Sequence, residues 1–155
     1  MSAEVEVGVV VCSDTLDFIS DEAGKLMIDL CEARGWRVLA YEIIPKDQLA
    51  VCDAVLRVVD YPGVDVLFTV GGTGSHARDF TREATHEIAE GTASCTATVL
   101  DSLLRGAAPG QSFRGTAVQH GKTVVVNMPD SEAFISRAFD PVAAAVLGDL
   151  GAELC

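Results

Sequence analysis

The chain has 155 residues, 49% of them hydrophobic; this length and composition predict one folded domain with its own core and exclude a disordered segment. Its formal net charge of −12 opposes nonspecific binding to nucleic acid or to an anionic membrane surface. Because no apolar run approaches the roughly 20 residues of a membrane-spanning helix, we expect neither nucleic acid nor a membrane as a partner.

The cysteines and the first residues bear on the cell compartment. Five cysteines without a Cys-x-x-Cys pair argue against a framework of disulfide bonds. Cys12, Cys31 and Cys52 fall in apolar patterns that are typical of small core residues. The first eight residues, MSAEVEVG, lack the basic and apolar segments of a secretory signal. We therefore expect a protein of the reducing cytoplasm.

In chain order, the first half of the sequence alternates between apolar, β-branched runs and segments with helical spacing. Asp21 and Asp47 precede the helical segments, where their side chains can cap free N–H groups. The pattern predicts a strand, a helix, a second strand and a second helix, over residues 5–12, 21–34, 36–44 and 47–60.

The second half begins with the apolar run 64–70, which predicts a central, buried strand. A glycine-rich loop follows it. The remaining pattern favours a helix, a second helix, a loop, a strand and a long final helix, over residues 82–90, 92–105, 106–110, 122–127 and 131–149.

Strands that alternate with helices build βαβ units. The sequence therefore predicts a three-layer α/β fold, a mostly parallel sheet with helices on both faces. Parallel strands deliver their exits to the same carboxyl edge, where such folds bind ligands. We expect the exits at residues 13–14, 71–79 and 127–131 to meet there.

The most distinctive segment is residues 64–85, VDVLFTVGGTGSHARDFTREAT. Its glycines let the backbone approach an anion, and the first turn of the next helix presents free N–H groups. Arg78 adds a cation and Asp79 a candidate magnesium ligand. Glycines also serve turn geometry alone, and the P-loop pattern is absent because no lysine follows at the required spacing. A phosphate site and a structural turn both remain open at this point.

The same segment resembles the signature of the MoaB/Mog family of molybdopterin-binding proteins. That signature is Gly-Gly-Thr-Gly, three variable residues and Arg-Asp-x-Thr-x-Glu-Ala-Thr, and residues 71–85 match it throughout. Ser13-Asp14, Ile44-Pro45 and residues 121–129 also resemble family segments. The resemblance covers nearly the whole chain. It implies a single molybdopterin-binding-like domain over residues 1–155, in proteins that are usually trimeric.

Members of this family bind molybdopterin during molybdenum-cofactor biosynthesis, and one branch uses Mg²⁺ and ATP to transfer AMP onto the terminal phosphate of the pterin. The resemblance implies that Asp79 is a catalytic acid and magnesium ligand, with Asp47 as a second catalytic acid. The other implied residues bind the pterin or its phosphate: Ser13, Asp14, Gly71, Gly72, Thr73, Gly74, Ser75, Arg78, Thr81, Pro129 and Ser131. The implied partners are molybdopterin, two further copies of the chain in a homotrimer, and other enzymes of the pathway.

Three features depart from the family pattern. Lys46 follows Pro45 where the family commonly has an acid, so Asp47 is offset by one residue. The Pro-Gly-x-Gly-Glu segment is missing, and residues 92–98 carry no carboxylate in its place. Asp130 replaces a glycine, and it either caps the final helix with Ser131 or places negative charge beside a bound phosphate.

These departures leave three functions open. The first is molybdopterin binding with adenylylation, which the intact loop favours. The second is a noncatalytic pterin-binding or scaffold protein of the same pathway, which Lys46 and Asp130 favour. The third is a nucleotide pyrophosphatase similar to CinA proteins, against which the Arg78-Asp79 pair argues.

Overall fold

The computed structural model describes residues 5–90, 94–107 and 113–148. Within these ranges the chain forms five strands and five helices. In chain order they are β1 (Glu6–Cys12), α1 (Glu22–Ala33), β2 (Arg37–Ile44), α2 (Gln48–Asp60), β3 (Val66–Val70), α3 (Thr81–Ile88), α4 (Cys95–Ala107), β4 (Ala117–His120), β5 (Thr123–Met128) and α5 (Glu132–Val146).

The strands form one sheet in the order β2-β1-β3-β5-β4. The pairs β1–β2, β1–β3 and β3–β5 are parallel, and β4 pairs with β5 in the antiparallel sense. Helices α1, α4 and α5 share one hydrophobic core with the sheet, and α2 and α3 share a second core with its other face. This arrangement confirms the three-layer α/β prediction.

Strand β1 shows why the sheet strands read as continuous apolar runs. Val7, Val9 and Val11 belong to the core with α1, while Val10 and Cys12 belong to the core with α2. Successive side chains of a strand point to opposite faces. A strand that is covered on both faces therefore buries nearly all of its residues, here Val7 to Cys12, and the alternation of apolar and polar residues disappears.

Three side chains cap helices. Asp21 accepts from the Gly24 N–H at 3.0 Å, Asp47 from the Ala50 N–H at 3.0 Å, and Ser131 from the Phe134 N–H at 3.2 Å. Each satisfies a donor that the first helical turn leaves free. The predicted helix starts at Asp21 and Asp47 are confirmed. Ser131, and not Asp130, caps α5.

The sequence analysis missed β4 and misplaced some boundaries. Strand β4 has four residues and turns into β5 through Gly121, whose φ is +57°. It is too short for a periodic pattern. The predicted loop over 106–110 is wrong at its start, because α4 continues to Ala107; positions 92–93, 108–110 and 149 of the predicted elements lie outside the described residues.

Two expectations about the chain as a whole concern membranes and cysteines. No helix in the described ranges is both long and apolar enough to cross a bilayer. Cys12, Cys31 and Cys52 are free thiols, in agreement with the sequence prediction.

Candidate functional site

The loops after β1, β2, β3 and β5 meet at the carboxyl edge of the sheet. The Gly71 N–H donates to the Met128 carbonyl at 2.9 Å, which joins the exits of β3 and β5. The Lys46 N–H donates to Asp14 Oδ1 at 3.0 Å, which joins the exits of β2 and β1. The expected convergence of the strand exits is thus confirmed.

The glycines after β3 are required by close backbone packing. Gly71 and Gly72 have φ of +92° and +68°, in the left-handed region. A Cβ on Gly71 would lie 2.7 Å from the Cys12 carbonyl oxygen, and one on Gly72 would lie 2.2 Å from Thr81 Oγ1. The Thr81 hydroxyl donates to the Gly71 carbonyl at 2.9 Å and holds the turn closed. The structural explanation of these glycines therefore holds, and the turn leaves an open cavity above it.

Two adjoining cavities occupy this edge. Their volumes are about 410 and 320 Å³. They share a wall, whose residues are Lys46, Gly71, Gly72, His76 and Asp130. The first cavity continues along Cys12–Thr15, Ala77 and Arg78, and the second along Thr73, Gly74, Asp79, Phe113 and Pro129.

Asp79 is the most deeply placed acid of the two cavities. Lys46 Nζ lies 3.0 Å from its Oδ1 atom. Its Oδ2 atom accepts from the His76 N–H at 3.0 Å and lies 3.2 Å from His76 Nδ1. Burial pushes the pKa of Asp79 upward, but the hydrogen bonds from Lys46 and His76 outweigh it and hold the pKa below its usual value. The carboxyl is therefore an anion with donors on both oxygens.

Asp14 and Arg78 form a second, more exposed pair. Arg78 Nε donates to Asp14 Oδ2 at 2.7 Å, and Nη2 donates to Oδ1 at 3.2 Å. The guanidinium and the Lys46 N–H lower the pKa of Asp14. This two-bond geometry fixes the direction of Arg78 and sets the guanidinium at the rim of the first cavity.

The other predicted site residues have structural contacts. Asp47 caps α2, Thr81 closes the glycine turn and Ser131 caps α5. Ser75 is exposed, and none of these four residues lines either cavity. The remaining predicted residues line one or both: Ser13, Asp14, Gly71, Gly72, Thr73, Gly74, Arg78, Asp79 and Pro129.

The sequence analysis did not assign Phe113 to the site. Its ring lines the second cavity and packs against Phe134, with ring centroids 5.1 Å apart. The neighbouring Arg114 N–H donates to the Thr73 carbonyl at 2.6 Å, which ties this segment to the glycine loop. Nothing in the sequence brings together two segments that are forty positions apart.

A buried amide supports the loop from below. Asn127 Nδ2 donates to Thr69 Oγ1 at 2.8 Å and to Thr85 Oγ1 at 3.0 Å, and its Oδ1 accepts from the Thr116 N–H at 3.0 Å. These bonds connect β3, β5 and α3. Since a buried polar network rigidifies only when it is satisfied, Asn127 fixes the elements on which the loop stands.

Two further groups at the site have shifted pKa values. Burial raises the pKa of Cys12 to about 11, against a hydrogen bond with Thr81 and the charge of Lys46, so this thiol is a core residue and not a thiolate nucleophile. Desolvation and the charge of Asp21 raise the pKa of Asp130, and Lys46 opposes them. Partial shielding from water and the charge of Asp21 therefore both disfavour the ionised form of Asp130, and Lys46 favours it.

The residues around Asp79 do not fit a magnesium ion in this arrangement. Mg²⁺ binds carboxylate oxygens directly, but both Asp79 oxygens already accept from donors. Within the described part of the chain, no group of three or more His, Cys, Asp and Glu residues is placed to hold a metal.

The fold and site together define an α/β protein with a polar ligand site at the carboxyl edge of its sheet, built on a glycine loop. A family model described as a probable molybdopterin binding domain matches residues 8–148. The chain belongs to this family and, within it, to the MoaB/Mog proteins.

Individual relatives agree with this assignment. Molybdenum cofactor biosynthesis protein B of Bacillus cereus is 31% identical over 157 aligned positions, which cover 97% of this chain and 91% of that protein. A crystal structure of a molybdenum cofactor biosynthesis protein B has a TM-score of 0.81 and 28% identity, over 99% of this chain and 98% of that one. The molybdopterin biosynthesis Mog protein of Mycobacterium ulcerans, at 24% identity and a TM-score of 0.77 over 99% and 100% of the two chains, shares the fold.

Proposed function

We propose that this chain binds molybdopterin in molybdenum-cofactor biosynthesis, in the two cavities above residues 71–74. The observation that carries the proposal is that the glycine turn lines one cavity together with two cations, Lys46 and Arg78, at the carboxyl edge of the sheet. This edge is where α/β folds bind ligands. The Bacillus cereus relative named above carries this pathway in its name.

The chemistry of the two cavities suits the two parts of the ligand. A terminal phosphate needs cations, and the first cavity offers the ammonium of Lys46 and the guanidinium of Arg78. A flat pterin ring needs an apolar surface with a few polar groups around it. Phe113 and Pro129 give the second cavity such a surface beside the backbone of Thr73 and Gly74.

Adenylylation is the second candidate function. A buried, ionised Asp79 beside the shared wall supports it. Against it, Asp79 has both oxygens occupied, and Asp47 points into the first turn of α2 as its cap. The use of Mg²⁺ and ATP by this chain, with Asp79 and Asp47 as its acids, stays a prediction. A homotrimer, partner enzymes of the pathway and a cytoplasmic location are also part of the proposal.

The experiment is a calorimetric titration of molybdopterin into the wild-type chain, with and without Mg-ATP, followed by mass spectrometry for AMP transfer. Binding with product would support adenylylation, and binding without product would support a pterin-binding protein. Absence of molybdopterin binding under both conditions would overturn the proposal. Size-exclusion chromatography with light scattering on the same sample tests the trimer.

Two matched variants locate the binding. Gly72→Ala adds a Cβ that meets Thr81 Oγ1, and we expect it to abolish binding. Gly121→Ala also substitutes a glycine of positive φ, but its Cβ meets no atom within 4 Å, so it controls for backbone strain.

Phe113→Ala should weaken molybdopterin binding about tenfold, the size of one lost stacking contact, and leave pyrophosphate binding unchanged. Equal losses for both ligands would remove Phe113 from the pterin subsite.

A further inference from the structure

We infer that Lys46 takes the place of a divalent metal beside Asp79, so that this chain binds the phosphate of its ligand without magnesium. The inference rests on the proposed function, because it concerns the phosphate end of the same site. It differs from what the family resemblance implies, which is a magnesium ion at Asp79. The departure at Lys46 is thereby a functional exchange of one cation for another.

The first argument is the position of the ammonium group. Lys46 Nζ lies 3.0 Å from Asp79 Oδ1, and the exposed fractions of the two side chains are 30% and 3%. The lysine therefore reaches inward to the buried carboxylate and still faces both cavities. The backbone N–H of Lys46 donates to Asp14 Oδ1 at 3.0 Å, which fixes the backbone from which the side chain extends.

The second argument is that the ammonium and the other donors on Asp79 oppose a metal there. A magnesium ion binds a carboxylate oxygen at about 2.0–2.1 Å, so on Oδ1 it would stand within about 5 Å of the ammonium and be repelled by it. The other oxygen accepts from the His76 N–H at 3.0 Å. Asp14, which lines the first cavity outside the shared wall, is engaged with Arg78 through both oxygens.

The third argument is what the ammonium can do for a phosphate. An ammonium has three N–H donors and no acceptor, so one bond to Asp79 leaves donors for a ligand in the cavities. Lysine binds phosphate as a compact point charge. Asp130 lines both cavities as well, and its carboxyl opposes an anion unless a cation such as Lys46 offsets it.

The test compares binding with magnesium and with a chelator. Molybdopterin and inorganic pyrophosphate are each titrated into the wild-type chain, once in excess EDTA and once in excess MgCl₂. We expect the same dissociation constant, within about twofold, in both buffers.

Lys46→Met should weaken the binding of both ligands at least about tenfold in either buffer, the effect of one lost charge-assisted hydrogen bond, whereas Lys46→Arg should retain binding. Lys122→Met, at the exposed β4–β5 turn, is the matched control and should bind as the wild type does.

A converse variant should make ligand binding depend on magnesium. Lys46→Asp should bind neither ligand in EDTA and should regain binding in MgCl₂. Wild-type binding that disappears in EDTA would overturn the inference without any variant. If molybdopterin fails to bind but pyrophosphate binds without a metal and through Lys46, the proposed function fails and the inference stands. If neither ligand binds in EDTA, the inference fails.

Discussion

The candidate site holds two ion pairs, one buried and one exposed. We expect the buried pair to contribute to the stability of the fold and the exposed pair to contribute mainly to ligand binding. In the inner pair, Lys46 and Asp79, the acid side chain is 3% exposed and carries a donor on each oxygen. In the outer pair, Asp14 and Arg78, the exposed fractions are 36% and 59%. An ion pair in the interior is costly to break, whereas an exposed one contributes little to stability. The inner pair therefore belongs to the buried framework of the site, whereas the outer pair stands at the rim, where its guanidinium can meet a ligand.

The largest expected effect follows from removing the inner cation. Lys46→Met leaves the buried Asp79 carboxylate without its ammonium, and we expect the free energy of unfolding to fall by about 1–3 kcal/mol. Urea denaturation at neutral pH measures it. Lys46→Arg is the control, because it keeps a cation at the position. Equal stability of Lys46→Met and wild type would contradict the account of the inner pair.

A second effect concerns the pH dependence of the inner pair. The folded-state pKa of Asp79 lies below its usual value, so its charge stabilises the fold above the unfolded-state pKa. That contribution is lost as the pH falls through the lowered folded-state pKa. Asp79→Asn should therefore be less stable than wild type at pH 7, with a difference that disappears in acid. Urea denaturation over a series of acidic pH values measures it, and a difference that stays constant with pH would contradict this prediction.

The outer pair should show the opposite balance between stability and binding. Arg78→Met is expected to leave the urea midpoint unchanged, because the pair is exposed. It should weaken pyrophosphate binding about fivefold at low salt, and less at high salt because exposed charges are screened. Arg137→Met, on the exposed side of α5, is the matched control. A loss of stability as large as that of Lys46→Met would erase the distinction between the two pairs.

The smallest expected effect concerns Asp130. Asp130→Asn removes a negative charge from the wall that both cavities share, so pyrophosphate should bind about threefold more tightly. The helix cap is unaffected, because Ser131 provides it. The comparison is a calorimetric titration of the two proteins in the same buffer. Weaker binding to Asp130→Asn would show that this carboxyl contributes to ligand recognition.

Features that depend on short segments of the chain could be predicted from the sequence. The buried strands, the caps at Asp21 and Asp47 and the meeting of the strand exits follow from patterns within short segments. The glycine turn follows as well, since the positive φ of Gly71 and Gly72 requires that residue type.

Contacts between distant segments could not be predicted in the same way. Lys46 and Asp79 are 33 positions apart, and residue types alone do not give the direction of a side chain. Lys46 reads as a departure from the family pattern until its ammonium is found on the Asp79 carboxylate. The neighbouring Asp47 illustrates the same limit, because a shift of one residue turns its side chain toward the first turn of α2. Phe113 lines the second cavity because the next residue, Arg114, donates its backbone N–H to the Thr73 carbonyl and holds this segment beside the glycine loop.

The central claim is that a phosphorylated ligand binds at the inner pair through Lys46. The most direct measurement is a crystal structure of the wild-type chain with molybdopterin bound in magnesium-free buffer. The account predicts a phosphate within hydrogen-bonding distance of Lys46 Nζ, above the turn at Gly71 and Gly72, while Lys46 still contacts Asp79. A phosphate bound elsewhere, or a lysine displaced from Asp79 by the ligand, would contradict it.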